Sequence, residues 1–392
     1  MMRTFCYRLS PTPRQRAALL AGMHQGRLVR NAMLAAVRAE YQRSGKFLFY
    51  RDLSKMYARP GLEHLSASTV QSIARRLSQT TEAFVTARSR GEKRAFPTYL
   101  DGRCRVSIPL RQHSRRQHPH DWRLSADGRR LMIPKKLGGP VKIRLHRPLK
   151  GEPKTCNLVL RADGGWYALI ACTLPDPAPC DPCGHPPIGL DAGLHALVTD
   201  SDGGRVPNPR FFKKVRPQII AEQRALARKQ YGSRRWQKQR ARLAKLHLKV
   251  SRQRHDFLHK TARSYAVNHG LIAVELLNLA GMRTNHRIAG AIEDVSWGTF
   301  QRLLTEKAEA AGHRVVKVRA AYSSQECASC GELVPKKITT RIHVCPHCGY
   351  RAHRDENAAR NILARACYNG RGAAVAEPEG LAAGDEARTA TP

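Results

Sequence analysis

Apolar residues recur at helical spacing in two segments near the start of the chain. Segment 15–41 predicts a helix that is interrupted near Gly26, and segment 68–87 predicts an amphipathic helix. Before them, residues 3–9 alternate weakly between apolar and polar positions and predict a short strand. The outer face of the second helix is either solvated or able to bond phosphates and base edges through Gln71, Arg75, Arg76 and Gln79.

Between residues 96 and 174 the pattern changes to short apolar runs separated by glycine and proline. Runs of this length and spacing predict β-strands that form a small barrel or sandwich, which residues 3–9 could complete. A proline-rich stretch follows and contains Cys180 and Cys183, which have the spacing of half a metal site. No second pair lies nearby in the sequence, so we interpret this stretch as a linker.

The second half of the chain alternates apolar runs with helical segments. Runs 188–191 and 271–275 each predict a buried strand that ends in an acid, and Asp202-Gly-Gly predicts a hairpin turn after the first. Residues 213–268 predict two basic helices that meet at 231–233. The pattern then predicts a mobile, lid-like loop, an amphipathic helix and a further strand, at residues 278–292, 297–311 and 314–318 respectively.

The charge of the chain narrows the choice of partner. The 392 residues include 69 lysines and arginines against 30 acids, which gives a formal net charge of +39. A chain cannot neutralise such an excess by itself, so a polyanion is the expected partner. The sequence shows neither an apolar run of about 18 residues nor a signal peptide at its start, so we expect a soluble intracellular protein that binds nucleic acid rather than a membrane.

Four of the eleven cysteines form two pairs with metal-ligand spacing. Two residues separate Cys327 from Cys330 and Cys345 from Cys348, and a glycine follows each pair. Two such pairs can supply the four thiolates of a structural Zn²⁺ site. Buried or disulfide-bonded cysteines are the alternative interpretation, but the odd number of cysteines fits a reducing compartment better than a disulfide scaffold.

Three acids carry the candidate chemistry. Asp191 and Glu275 each follow an apolar strand, and Asp355 begins the helical pattern of residues 355–363. Helix capping is the simpler interpretation of Asp355 taken alone. A mixed α/β sheet with helices on both faces would present strand-end acids at one edge. Carboxylates grouped in this way bind Mg²⁺, and two such ions can cleave a phosphodiester.

These motifs together resemble a known family. Gly189-Leu-Asp191-Ala-Gly193, Glu275 with the run that follows it, the two cysteine pairs and Asp355-Glu-Asn-Ala-Ala-Arg-Asn-Ile are similar to the split RuvC-like nuclease of TnpB proteins. Insertion sequences encode these proteins, which are related to type V CRISPR effectors. The opening Tyr7-Arg-Leu-Ser-Pro-Thr-Pro13 and Arg27-Leu-Val-Arg-Asn31 are also similar to the start of that family.

The resemblance, which covers roughly residues 3–366, implies an RNA-guided DNA endonuclease. A transposon-derived guide RNA would pair with double-stranded target DNA, and the protein would recognise a short flanking motif. Asp191, Glu275 and Asp355 would hold two Mg²⁺ or Mn²⁺ ions, and the four cysteines would hold one structural Zn²⁺. The protein would act as a monomer or as a homodimer on one RNA, in the cytoplasm of a prokaryote and on the nucleoid when bound to DNA.

The implied fold is a multidomain α+β protein. An N-terminal wedge-like β-barrel with a helical recognition insert would precede an RNase H-like (RuvC) α/β nuclease domain with an inserted zinc ribbon. The expected boundaries are a wedge strand at 1–10, the recognition insert at 11–95, the rest of the wedge at 96–175, a linker at 176–187, the nuclease domain with its basic hairpin at 188–323, the zinc ribbon at 324–350, the last nuclease segment at 351–367 and a disordered tail at 368–392.

Two positions depart from the family pattern, and both leave metal preference and cleavage efficiency open. His353 stands where an acid is common, and Leu276 stands where an acidic or amide side chain often follows the central glutamate. The outer face of the second helix, named above, would read the flanking DNA motif. The side chains expected to hold the guide–target duplex through its backbone are Arg234, Arg235, Lys238, Arg240, Arg252 and Arg254.

Three other functions remain open on the sequence. A nuclease-inactive, RNA-guided DNA-binding repressor would be expected to lack one of the three acids, and all three are present. A transposase that joins DNA strands could use the same fold and the same acids. A compact type V CRISPR effector would differ in carrying RNA derived from CRISPR repeats.

Overall fold

The computed structural model describes residues 2–57, 62–101, 107–111, 121–176, 184–319, 321–337 and 339–369. The chain divides into two compact units, Met1–Asp176 and Pro177–Pro392. The segment containing Cys180 and Cys183, which the sequence predicts to be a linker, lies outside the described residues, as does the predicted tail beyond residue 369. Among the described residues, no helix is both long enough and apolar enough to cross a lipid bilayer.

The first unit is built on an antiparallel sheet of seven strands. In chain order the strands are β1 Met2–Ser10, β2 Ile108–Arg111, β3 Arg123–Leu124, β4 Arg130–Met132, β5 Val141–Arg144, β6 Glu152–Leu160 and β7 Trp166–Thr173. They lie in the order β2-β6-β7-β1-β5-β4-β3, so β1 occupies the middle of the sheet between β7 and β5. The prediction that residues 3–9 join the later strands is therefore confirmed.

Three helices lie between β1 and β2 in the sequence: α1 Pro13–Ser44, α2 Tyr50–Tyr57 and α3 Ala67–Ser89. Thr12 caps α1, because its Oγ1 accepts a hydrogen bond from the Gln15 amide while the Gln15 side chain accepts one from the Thr12 amide. Pro13 at the first helical position has its φ fixed in the helical range. Apolar faces of the helices and the sheet share one core, which includes Leu19, Met33 and Trp166.

The predicted interruption of α1 near Gly26 is wrong. The helix continues without a break, and both of its internal glycines face other elements of the unit. A Cβ atom on Gly22 would lie 2.5 Å from a methyl carbon of Leu137, and one on Gly26 would lie 3.6 Å from a methyl carbon of Ile73. Glycine at position 22 lets Leu137 approach the helix closely, whereas the contact at Gly26 is an ordinary one that alanine could also make. A sequence pattern cannot separate either case from helix breaking.

The second unit contains a mixed sheet of five strands. The strands are β8 Ile188–Ala192, β9 Ala196–Asp200, β10 Arg205–Pro207, β11 Leu271–Glu275 and β12 Arg314–Val318. Their order is β10-β9-β8-β11-β12; the β8–β11 and β11–β12 pairs are parallel, whereas β9 pairs antiparallel with both β8 and β10. A separate antiparallel pair consists of β13 Ile342–Val344 and β14 Arg351–His353.

Helices cover both faces of the five-stranded sheet, as expected. The helices of the second unit are α4 Phe211–Ala227, α5 Arg234–Asn268, α6 Leu279–Arg283, α7 His286–Val295, α8 Trp297–Ala310 and α9 Arg354–Asn369. Ile272 and Val274 of β11 pack with α5 and α8, whereas Ala273, between them, packs with α9. Alternate residues of a strand point to opposite faces, so α9 has one face of the sheet and α5 and α8 have the other.

The predicted mobile loop at 278–292 is also wrong, because this segment forms α6 and α7. The Asn278 side chain caps α6 by accepting a hydrogen bond from the Gly281 amide at 2.9 Å. At the other end, the Asp294 carboxylate accepts hydrogen bonds from the Phe212 and Lys213 amides, and Ile292 is buried in the core. Helix caps and a buried anchor therefore hold a segment whose glycines suggest a lid.

Candidate active site

The first two candidate acids lie side by side at one edge of the sheet. Strands β8 and β11 are parallel neighbours, and their register pairs Leu190 with Val274. Asp191 and Glu275 are the next residue on each strand. Because parallel strands end at the same edge, the two carboxylates project from adjacent positions there. The 83 residues between them in the sequence are spanned mainly by β9, β10, α4 and α5.

Helix α9 brings the third acid to the same place. It crosses β8 so closely that a Cβ atom on Gly189 would lie 2.1 Å from the Ala359 carbonyl oxygen. Asp191 follows Gly189 by two residues, so it lies on the same face of the sheet as the helix. Asp355 precedes Ala359 by one helical turn and therefore lies on the same side of α9. Gly189 thus permits the close approach that places Asp355 beside Asp191.

The electrostatics of Asp191 show that the three carboxylates are near one another. Burial raises the pKa of the Asp191 carboxyl well above its usual value, and the negative charges of Asp355 and Glu275 raise it further. The Arg354 guanidinium acts in the opposite direction. Burial also raises the pKa of the Glu275 carboxyl. Both shifts mean that the protein disfavours the ionised form of these two carboxyls.

Asp355 is the second residue of α9, so it does not occupy the capping position that the simpler interpretation required. Its carboxylate accepts a hydrogen bond from Arg354 Nε at 3.3 Å. His353 Nδ1 accepts a hydrogen bond from the Asp355 amide at 3.2 Å, and burial lowers the pKa of that imidazole. His353 is therefore neutral near pH 7 and orients the first turn of α9 without adding a charge.

This donor set fits hard divalent cations. Grouped carboxylates at the edge of a basic protein suit Mg²⁺ or Mn²⁺, and a cation would offset the repulsion that raises the pKa of Asp191. Among the described residues, only the four cysteines bring three or more ligand atoms within 4.8 Å of one another. The carboxylate oxygens are therefore spread more widely than the ligands of a compact single-ion site.

The four cysteines form a compact metal-ligand cluster. Cys327 Sγ lies 3.7 Å from Cys348 Sγ, and Cys330 Sγ lies 3.6 Å from Cys345 Sγ. A tetrahedral zinc ion with sulfur ligands at about 2.3 Å requires sulfur separations of about 3.8 Å. Gly331 and Gly349 have positive φ angles, which turn each knuckle so that its glycine amide donates to the carbonyl of the first cysteine. Geometry and donor type both fit one structural Zn²⁺.

Three family profiles match the chain. A profile described as "Probable transposase" matches residues 172–286, one described as "Cas12f1-like, TNB domain" matches residues 297–362, and one described as "Helix-turn-helix domain" matches residues 1–46. In this chain, residues 13–44 of the third match form the single helix α1.

Two curated relatives, both named provisionally as RNA-guided DNA endonucleases, align along nearly the whole chain. A Streptomyces pristinaespiralis protein is 28% identical over 387 residues, which cover 92% of this chain and 89% of the relative. InsQ of Escherichia coli (strain K12) is 28% identical over 383 residues, which cover 93% of this chain and 92% of InsQ. These matches support membership of the TnpB family.

One solved structure extends the comparison to the fold. The Cas12f1 chain of a complex with sgRNA and target DNA aligns with 93% of this chain and over 98% of its own length, with a TM-score of 0.61 and 13% sequence identity. At this identity the likeness concerns the fold alone. It agrees with the mixed α/β architecture expected from the TnpB resemblance.

The structure gives the four candidate DNA-reading residues of α3 different surroundings. The Arg75 guanidinium lies over the Tyr50 ring, 4.5 Å from its centroid. Arg76 donates hydrogen bonds to the side chains of Ser107 and Asn157. Gln79 is exposed, and Gln71 is half-buried. Intramolecular contacts therefore hold two of these four side chains, Arg75 and Arg76, in place.

The predicted basic helices α4 and α5 form a hairpin with an unusual charge. Residues 211–254 contain fifteen lysines and arginines and one acid, Glu222. Of the six candidate contacts, Arg234, Arg235, Lys238 and Arg252 are exposed. Arg240 lies over the Trp236 ring, 5.3 Å from its centroid. Arg254 forms a half-buried ion pair with Asp294 at 3.0 Å, so it fastens α5 to α7.

Several residues that organise the site do not stand out in the sequence. The Gln301 side chain of α8 donates a hydrogen bond to the Glu275 carbonyl at 2.8 Å and so fixes the end of β11. The side chains of Asn357 and Asn361 donate hydrogen bonds to main-chain carbonyls of the segment that leads into the first cysteine pair. Only the spacing of four between these two asparagines, within the motif that begins at Asp355, could have indicated a shared partner.

Proposed function

We infer that this chain is an RNA-guided DNA endonuclease of an insertion sequence, which cuts phosphodiester bonds at a target chosen by a guide RNA. The observation that carries this proposal is the placement of Asp191, Glu275 and Asp355 at one sheet edge, where burial and then the charges of the other two carboxylates raise the pKa of Asp191. The relatives that align along the chain are named for the same activity.

The second unit corresponds, in this proposal, to an RNase H-like (RuvC) nuclease domain. Its strand order of β10-β9-β8-β11-β12, with acids at the ends of the central strands, supports that assignment. The four-cysteine segment lies between β12 and α9 in the sequence, where a zinc ribbon would interrupt the domain. The first unit would then contain the wedge and the helical recognition insert.

Asp191, Glu275 and Asp355 would hold two Mg²⁺ or Mn²⁺ ions. When bound, such ions lower the pKa of the attacking water and stabilise negative charge on the phosphate and the leaving oxygen. The chain contributes the carboxylates in a fixed arrangement: β8 and β11 set two of them, and α9 sets the third. Arg354 and His353 orient Asp355 by contacting its carboxylate and its amide.

The α4–α5 hairpin would hold the guide–target duplex. The exposed cations among its residues 211–254 can contact phosphates along a hybrid of any sequence, which suits a protein whose specificity comes from base pairing. Glu222, the one acid among residues 211–254, accepts a hydrogen bond from the Gln239 side chain. The exposed face of α3, with Gln79, is the candidate reader of the flanking DNA motif.

The test is cleavage by the native complex. The full chain is purified with the RNA that it binds in its host, the RNA is sequenced, and the complex is incubated with Mg²⁺ and a library of DNA targets that carry randomised flanking sequences. The proposal expects cuts in matched targets beside one short motif. Tight binding without cleavage would indicate a repressor, RNA-independent strand transfer a transposase, and repeat-derived RNA a CRISPR effector; each result contradicts the proposal.

A further inference from the structure

Helix α9 carries a polar stripe that the proposed mechanism does not use. Asn357, Asn361 and Arg365 follow one another at intervals of four residues, so they lie along one side of the helix. All three donate hydrogen bonds to main-chain carbonyls of residues 319–326. This segment runs directly into the first cysteine pair. We call this polar stripe and its partners the α9 clamp.

The two asparagines bond the same carbonyls. The Asn361 side-chain nitrogen lies 2.8 Å from both the Ser323 and the Glu326 oxygens, and the Asn357 nitrogen lies 3.3 Å and 2.7 Å from them. Asn357 and Asn361 are 0% and 6% exposed, so water cannot replace these bonds without opening the structure. The clamp is therefore a buried and directional contact.

One bond of the clamp reaches into the cysteine site itself. The Ala328 amide donates to the Asn357 side-chain oxygen at 3.0 Å. Ala328 lies between Cys327 and Cys330, and Cys327 is buried. The Ala328 amide can keep this position only while the knuckle keeps its turn. Asn357 thus contacts the backbone that a metal ion would order.

The opposite side of α9 rests on the sheet beside the acids. Ala358, Ala359 and Ile362 are buried, and the Ala359 carbonyl closely approaches Gly189. The helix is therefore held between the sheet and the cysteine segment. Asp355 precedes Asn357 by two residues, so a movement of the clamp moves the carboxylate within the first turn of the helix.

We propose that the four-cysteine site, through Asn357 and Asn361, positions Asp355. Zinc orders the first knuckle, the knuckle and the preceding carbonyls hold the polar side of α9, and the helix presents Asp355 to Asp191 and Glu275. Asn357 and Asn361 are positioning residues in this account and do not touch substrate. The inference rests on the proposed function only in treating the three carboxylates as a catalytic ion site. The coupling itself concerns metal binding and can be measured without DNA cleavage.

The coupling has a measurable consequence. Two sites joined by one element affect each other's affinity reciprocally, so removal of zinc should weaken the binding of a divalent cation at the carboxylates. Couplings of this kind change affinity by on the order of tenfold. Removing the Asn361 side chain should weaken cation binding by a comparable factor while zinc is still present.

A titration of the full chain with Mn²⁺, monitored by electron paramagnetic resonance, tests the coupling between the two sites. Comparison of the zinc-loaded wild-type protein with Asp191→Asn first identifies the signal of the carboxylate site. Asn361→Ala, at full zinc content and with an unchanged circular dichroism spectrum, should raise the Mn²⁺ Kd about tenfold. Ala364→Ser, an exposed position on α9, should leave the Kd unchanged.

Chelation of zinc followed by desalting completes the test. The wild-type Kd should rise about tenfold, whereas the Kd of the double variant Asn357→Ala and Asn361→Ala should change less than about twofold, because both asparagine contacts between α9 and the knuckle segment are then already lost. Equal changes in both proteins, or no change in the wild type, would overturn the inference. Hydrogen exchange at residues 355–366 gives a second reading, and unchanged exchange in zinc-loaded Asn361→Ala would also overturn it. Failure of DNA cleavage with this coupling intact would count against the proposed function alone.

Discussion

Helix α9 and the α4–α5 hairpin both carry residues that the proposed function needs, but the structure holds them in opposite ways. Helix α9 is fixed by apolar packing on one side and by the buried amides of the α9 clamp on the other. The longer helix of the hairpin, α5, has 35 residues and is about 50 Å long. Most side chains of the hairpin are exposed. Its buried residues between positions 211 and 254 are few, namely Ile219, Gln239, Leu243 and Val250.

The difference follows from what each region does. A carboxylate that holds a catalytic ion must be placed to within a fraction of an ångström, so its helix needs contacts that leave no freedom. A surface that grips a nucleic-acid backbone of any sequence needs many charges and little fixed geometry. Substitutions in α9 and its contacts should therefore act by displacing the Asp355 carboxylate. Substitutions in the hairpin should act by reducing its positive charge.

The largest effect is expected from Asp191→Asn. Loss of one carboxylate from the ion site should lower the rate of cleavage by on the order of 10³-fold or more, measured with guide-matched DNA and Mg²⁺. Binding of the target should stay within about twofold, because phosphate contacts supply most of the affinity. Asp202→Asn, an exposed acid in the nearby turn, is the matched control and should cut normally. Normal cutting by Asp191→Asn would remove this residue from the mechanism.

Gly189→Ala should have the next largest effect. The added Cβ would lie 2.1 Å from the Ala359 carbonyl oxygen, so α9 must shift away from β8. We expect a loss of about 3 kcal/mol in the free energy of unfolding, measured by chemical denaturation, together with reduced cleavage.

Gly290→Ala provides the comparison for that substitution. A Cβ atom at this position in α7 meets no atom within 4 Å, so alanine should be neutral or should stabilise the helix by up to about 1 kcal/mol. Equal behaviour of the two alanine variants would show that the close approach of α9 to β8 is not a constraint.

A smaller effect is expected from charge removal in the hairpin. The double variant Arg234→Ala and Arg235→Ala should weaken guide RNA binding and lower the slope of log affinity against log salt concentration by roughly 1 for each phosphate that is no longer neutralised. Its melting temperature should change little, since both side chains are exposed. Arg302→Ala, which breaks an exposed ion pair with Glu306, should leave the salt slope unchanged. A fall in stability with an unchanged slope would assign Arg234 and Arg235 a structural role.

The smallest predicted effect concerns pH. The Asp191 and Glu275 carboxyls have raised pKa values in the folded protein, so the folded state binds their protons more tightly than the unfolded state does. Their contribution to the stability of the metal-free protein is fully present below about pH 4 and is lost as the pH rises through the folded pKa values. Bound Mg²⁺ should offset that loss.

The increase in melting temperature that Mg²⁺ produces should therefore be larger at about pH 7.5 than at about pH 5. Asp191→Asn should reduce the difference between the two pH values, and differential scanning fluorimetry would measure it. An increase that is independent of pH in the wild-type protein would contradict the assignment of the cation to these carboxylates.

The sequence predicts the strands of the sheet and both cysteine pairs well because each depends on local spacing. It cannot separate functional from structural acids by pattern alone. Asp200 also follows an apolar strand, β9, yet its carboxylate accepts hydrogen bonds from the Gly204 amide at 2.6 Å and from the Tyr265 hydroxyl at 3.0 Å. These bonds hold a turn against α5, and only the tertiary structure reveals them.

The same limit explains the helices that the sequence misjudges. Gly26 and the glycines after Glu275 suggest breaks or hinges, because glycine has that effect in an isolated segment. In the fold, α1 continues through Gly26, and Asp294 anchors the later segment through partners forty or more residues away along the chain. Asn357 and Asn361 do not stand out for a similar reason, since their partners are main-chain carbonyls with no sequence signature.

Anomalous X-ray diffraction from crystals of the zinc-loaded protein soaked in Mn²⁺ tests the central claim most directly. The account predicts manganese peaks at the edge of the five-stranded sheet, in contact with carboxylate oxygens of Asp191, Glu275 and Asp355, and their loss in Asp191→Asn. Peaks only at other positions, or peaks that persist unchanged in Asp191→Asn, would contradict it.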